Sequence, residues 1–127
     1  MHCVCLITAC TSYIDLVFVV DVSGSIHSHR IDSVREFLTS IVADLDVALT
    51  STRVGAVYFS NSSYTAFTLD QYTNRQDVQE AIRYIPYIGL KTNIAAGLRL
   101  ARTHLLQASN SRLRLTTHIN TVTTLIP

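Results

Sequence analysis

At 127 residues, with 48% hydrophobic and 15% charged side chains, the chain has the balance of one folded domain and not of a disordered tail. Nine arginines and one lysine against nine acidic residues leave a formal charge of +1, which excludes the electrostatic footprint of a nucleic-acid or anionic-membrane binder. The basic residues are scattered singly and read as solvated helix faces, and no apolar run approaches the roughly 18 residues of a membrane span.

Cys3, Cys5 and Cys10 crowd the start of the chain and none follows, so they do not staple its body. They also lack a fourth ligand at a spacing that would close a zinc site. The stretch 3–10 is apolar but short, and reads as at most the remnant of a secretory signal. Residues 15–20, Asp-Leu-Val-Phe-Val-Val, are an unbroken apolar run of β-branched and aromatic types after the first aspartate, which predicts a strand buried on both faces. Beyond a Ser-Gly-Ser turn, Ile31, Val34, Phe37, Leu38, Ile41, Val42 and Leu45 recur at spacings of three and four and predict one face of a helix.

A second strand is expected over 53–60 and a third over 64–69. The turn between them, Asn61-Ser62-Ser63, is an N-glycosylation sequon. Val78, Ala81, Ile82 and Ile85 predict a helix over 77–85, closed by Pro86 and Gly89. Ile94, Leu98, Ala101 and Leu105 predict another over 93–106, opened by the capping pair Thr92-Asn93. From Ser109 the chain turns threonine-rich; it could form an extended strand, but its pattern does not say which face is buried. Alternation of strands and helices in this order predicts an α/β sheet covered by helices.

The residues that carry chemistry stand at the end of the first strand. Asp21, Ser23 and Ser25 place a carboxylate and two hydroxyls at alternate positions, and oxygen-only donors suit a hard cation such as magnesium, manganese or calcium. Open α/β sheets bind ligands just beyond the carboxyl ends of their strands, which is where this string lies. Gly24 is expected to supply a tight turn. The plainer alternative is that Ser23 or Ser25 caps the following helix while Asp21 accepts backbone N–H groups. His27 and His29, beside the loop, read as solvent-facing. Gly89-Leu90-Lys91-Thr92 is not a phosphate loop, since no glycine directly precedes Lys91 and Tyr84 stands where the first glycine belongs. A hydrolase would make Ser23 or Ser25 a nucleophile with His27 or His104 as base and Asp21 as orienter. The spacing lacks the Gly-x-Ser-x-Gly elbow that such a nucleophile needs, so no enzyme activity is expected.

Taken together, residues 15–26 with the helix that follows, residues 53–60, and Thr-Asn-Ile-Ala-Ala-Gly-Leu at 92–98 resemble the von Willebrand factor A family, in particular its matrilin-like and collagen-VI-like members. The resemblance divides the chain into a cysteine-containing segment at 1–14, a partial A-type domain at 15–108 and a divergent threonine-rich tail at 109–127. It implies a Rossmann-like open, mostly parallel sheet flanked by helices, incomplete at its C-terminus. It also implies an extracellular, secreted module with a metal-ion-dependent adhesion site. Asp21, Ser23 and Ser25 would form the first loop of that site and Thr92 the second, holding magnesium, or else manganese or calcium. An acidic residue of a matrix protein such as collagen would complete the coordination. The family's third loop carries an aspartate after the next core strand, whereas this sequence has no Asp or Glu after Glu80 and reads His118-Ile119-Asn120 near the expected place. The alternative that follows is a fragment without a competent site, with one edge of its first strand open.

Overall fold

The apolar run at 15–20 lies inside β1 (Tyr13–Asp21). Its side chains alternate between two cores: Leu16, Phe18 and Val20 pack on one side of the sheet, Val17 and Val19 on the other. A strand buried on both faces has no polar face to present, which is why the run shows no hydrophobic alternation. The computed structural model describes residues 14–107 and the backbone of residues 13 and 118–125; the three cysteines and the signal-like stretch fall outside them.

β1 is followed by two 3-10 turns, Gly24–Ile26 and Ser28–Arg30, and then by α1 (Ile31–Ala43). β2 (Thr52–Phe59) and β3 (Ser63–Phe67) come next, then α2 (Arg75–Arg83) and α3 (Ile94–Leu100), which continues as a π-helical turn over Ala101–Leu105. β4 (His118–Leu125) closes the order. The sheet runs β3-β2-β1-β4, with β1 parallel to both β2 and β4 and only β3 antiparallel. This is the expected open, mostly parallel sheet.

Helices α1 and α2 cover one face over the core that includes Phe18, Leu38, Val42, Val78 and Ile82. The α3 segment covers the other, with its Ala101 and Leu105 packed in one core with Val17, Val19, Val57 and Phe59. Side chains lock the helices to backbone: Arg35 Nε donates to Ile85 O at 2.9 Å, and Gln79 Nε2 to Thr39 O at 2.9 Å. At the foot of the sheet Arg53 meets Asp15, its register partner, through two parallel bonds of 2.9 Å, from Nε to Oδ1 and from the second guanidinium nitrogen to Oδ2. Among the described residues no helix is long and apolar enough to cross a membrane.

Three expectations need correction. Phe37, read onto the apolar face of α1, is 52% exposed, because the buried stripe is the narrower set Ile31, Val34, Leu38 and Val42. Leu98, read into the stripe of the last helix, is 41% exposed. There the smallest side faces the sheet: a Cβ on Gly97 would lie 2.6 Å from Phe59 Cδ1 and 3.1 Å from Val19 Cγ1, so the helix rests on the strands through its glycine. Finally, the edge of β1 expected to lie open is paired by β4 from Tyr13↔His118 to Val20↔Leu125.

Candidate functional site

Parallel pairing brings the carboxyl ends of β1 and β2 level, with Asp21 opposite Phe59. Backbone bonds then tie three segments together above the sheet. Val22 N donates to Phe59 O at 2.9 Å, Gly89 N to Val22 O at 2.9 Å, and Gly24 N to Leu90 O at 2.8 Å. Gly24 opens the expected tight turn, the 3-10 turn Gly24–Ile26, and does so without a positive φ. What it supplies is room: a Cβ there would meet Gly89 O at 3.0 Å, so the absence of a side chain lets the 89–90 backbone close over the loop.

These bonds deliver Thr92 onto the first loop from 69 residues away. The Ser23 hydroxyl lies 2.7 Å from Thr92 Oγ1 and 2.8 Å from Ser25 Oγ, and Thr92 Oγ1 lies 3.3 Å from Ser25 Oγ. Asp21 sits beneath this triangle: Oδ1 accepts from Ser23 Oγ at 2.5 Å and from Ser23 N at 2.8 Å, while Oδ2 accepts from Ser25 Oγ at 3.2 Å. Asp21 is 1% exposed and Ser23 fully buried, whereas Ser25 and Thr92 face solvent. All four predicted oxygen donors therefore meet in one cluster with a buried base and an open top. Neither serine serves as a side-chain cap for the following turn, although the backbone bond to Asp21 foreseen in the plainer alternative is present.

The third loop is placed differently from its sequence position. His118-Ile119-Asn120 opens β4 opposite Tyr13, Ile14 and Asp15, at the far end of the sheet from Asp21, and the strand reaches the level of Val20 only at Leu125. Because parallel strands share one direction, the triplet at 118–120 lies at the end of the sheet away from the site. Among the described residues no group of three or more His, Cys, Asp or Glu could hold a metal, and of the four donors that meet here only Asp21 is a carboxylate.

One positioning residue carries no sequence motif. Ser60, fully buried one step beyond β2, accepts from Leu90 N at 3.0 Å and donates to Lys91 O at 3.1 Å, while its own carbonyl accepts from Asn93 N at 2.8 Å. Asn93 then caps α3 by accepting from Ala96 N at 3.1 Å. Ser60→Ala removes the acceptor of the part-buried Leu90 N–H and the donor to Lys91 O, a cost of about 1 kcal/mol per bond. If Thr92 holds a cation, the same change should weaken that cation roughly tenfold, as loss of a supporting bond to a ligand does. Calorimetric titration checks this, and the tenfold effect should vanish in a Thr92→Ala background.

His27 is the one non-glycine residue among those described with positive φ, at 61° with ψ 143°. It joins the two 3-10 turns, and its exposed ring stacks on that of His29 at 5.9 Å. Such a backbone costs on the order of 1–3 kcal/mol for a residue bearing a Cβ. His27→Gly should therefore stabilise the fold by about 1 kcal/mol, seen as a higher urea midpoint at unchanged slope.

Comparison with known proteins agrees with this architecture. The family described as von Willebrand factor type A domain matches residues 15–126. Mouse (Mus musculus) matrilin-4 is 36% identical over 72 residues, 57% of this chain and 12% of that protein. The human (Homo sapiens) collagen alpha-6(VI) chain is 37% identical over 86 residues, 68% of this chain and 4% of that protein. The chain thus spans a small fraction of the length of these relatives. Among solved structures, proximal thread matrix protein 1 from the mussel byssus, with a zinc-occupied MIDAS motif, superposes with a TM-score of 0.75 at 24% identity. That match covers 90% of this chain and 29% of the other.

Proposed function

Because this chain belongs to the von Willebrand factor type A domain family, we propose that it is an extracellular protein-binding module that engages an acidic side chain of a matrix protein through a divalent cation. The observation that carries the reading is the hydroxyl triangle of Ser23, Ser25 and Thr92, with edges of 2.7, 2.8 and 3.3 Å. These edges are hydroxyl–hydroxyl hydrogen bonds, so the three oxygens already converge on one point, and oxygen-only donors of this kind suit a hard cation, magnesium first and manganese or calcium next.

In this reading Ser23, Ser25 and Thr92 hold the cation and Asp21 supplies the negative charge beneath it. When bound, the cation offers an open coordination position to a carboxylate of the partner. Ser25 and Thr92, exposed at the top of the cluster, leave that side accessible. Matrilin-4 and the collagen VI chain among the relatives favour a matrix protein such as collagen as partner, and secretion as the route. The hydroxyl of Ser23 is bonded to a carboxylate and to other hydroxyls, with no imidazole on either serine, which supports a binding role over nucleophilic catalysis.

The test is binding of the chain to an immobilised triple-helical collagen peptide bearing glutamates, in magnesium and in EDTA. Binding should require magnesium and disappear when the glutamates become glutamines. Binding that survives either change, or its absence in both buffers, removes the reading. A second reading, the fold without a working metal site, is favoured by the presence of a single carboxylate, that of Asp21, among the four donors that meet there. A cation held by one carboxylate keeps several waters and binds weakly.

A further inference from the structure

We propose that Asn61 carries an N-linked glycan that covers the Lys91–Thr92 side of the loop cluster and limits which ligands reach it. The sequon Asn61-Ser62-Ser63 is the turn from β2 into β3, and Asn61 and Ser62 are both exposed. The turn is tight, with Ser60 N donating to Ser62 O at 2.8 Å, so the Asn61 side chain projects from a fixed base. Because Asp21 pairs with Phe59, this turn lies at the same end of the sheet as the site.

The next residue back is Ser60, whose side chain bonds Leu90 N and Lys91 O and whose carbonyl bonds Asn93 N. The attachment point is thus one residue from the anchor of the Thr92 loop. A bulky, hydrated oligosaccharide there crowds Lys91 and Thr92, and also shields the open edge of β3, where Tyr64 is 41% exposed. In the modification, Asn61 Nδ2 attacks the anomeric carbon of a lipid-diphosphate-linked oligosaccharide. The N–C bond forms, the carbon–oxygen bond to the diphosphate breaks, the lipid diphosphate leaves, and the amide proton passes to the transferase. The consequence for ligand choice rests on the adhesion reading; the glycan and its shielding do not.

Lys91, the chain's only lysine, reports the shielding directly, because it is exposed and sits beside Thr92. The full chain is passed through the secretory pathway of a eukaryotic host and compared with the same material after removal of N-glycans by an amidase, and with Asn61→Gln and Ser63→Ala. Intact mass should fall on amidase treatment and be already low in both variants. Acylation of Lys91 by a polymer-bound active ester, read by peptide mapping, should be several-fold slower in the glycosylated form. A small soluble ester should react equally with all forms. An unchanged mass overturns the modification, and equal rates with the bulky ester overturn the shielding. Magnesium titration of the same samples keeps the two readings apart. Lys91 protection without any magnesium heat supports the glycan and removes the metal site.

Discussion

Arg53→Ala should destabilise the fold by about 3–5 kcal/mol, the usual cost of removing one partner of a buried pair. The Asp15 side chain is 1% exposed and that of Arg53 10%, and the bidentate contact joins adjacent strands β1 and β2 at the foot of the sheet. Screening by water is slight at that depth, so the carboxylate of Asp15 loses both guanidinium bonds where water does not replace them. Against a total stability of about 5–15 kcal/mol for a domain, such a loss brings the chain close to unfolding at ambient temperature. The chain has no tryptophan, so urea unfolding followed by far-ultraviolet circular dichroism is the suitable readout. The paired change Asp15→Leu with Arg53→Met should recover much of the loss, since apolar replacement of a whole buried pair is often neutral. Equal destabilisation by the double change would show that shape, not charge, decides at this position.

Asp21→Asn should abolish saturable magnesium binding while costing the fold little. The amide oxygen of asparagine can still accept from Ser23 N and Ser23 Oγ, so the loop keeps bonds that now run at 2.8 and 2.5 Å. What it loses is the only negative charge among the four donors, and magnesium relies on at least one carboxylate. Asp21→Ala should lose metal and loop together, because the Ser23 N–H then loses its buried acceptor. The contrast between the two variants separates the electrostatic role of Asp21 from its structural one. It is read by magnesium titration alongside thermal unfolding of each.

Much of this architecture was legible residue by residue. The run Leu-Val-Phe-Val-Val suited a strand buried on both sides, and the three-four spacing of Ile31, Val34, Phe37, Leu38, Ile41, Val42 and Leu45 marked a helix whose buried stripe is Ile31, Val34, Leu38 and Val42. Phe37 and Leu98 were misplaced because periodicity gives a stripe about a hundred degrees wide without its edges. Tertiary packing sets the edges, here by seating α3 through Gly97. β4 could not be placed from local pattern, since its pairing with β1 joins residues more than a hundred positions apart. For the same reason His118 was set near the site when it lies at the opposite end. The convergence of Asp21, Ser23, Ser25 and Thr92 was legible because a short string and a distant threonine follow a recurring pattern. Ser60 was not, since a lone serine after a strand has no motif. Its only signal is its place one step past the register partner of Asp21.

In the proposed site the hydroxyls of Ser23, Ser25 and Thr92, from two distant loops, hold one hard cation above the Asp21 carboxylate. Isothermal calorimetry of magnesium into the purified chain, beside Asp21→Asn and Thr92→Ala, tests it most directly. The native chain should show one saturable site, Thr92→Ala weaker binding, and Asp21→Asn none. Indistinguishable heats from all three proteins would contradict the proposed site.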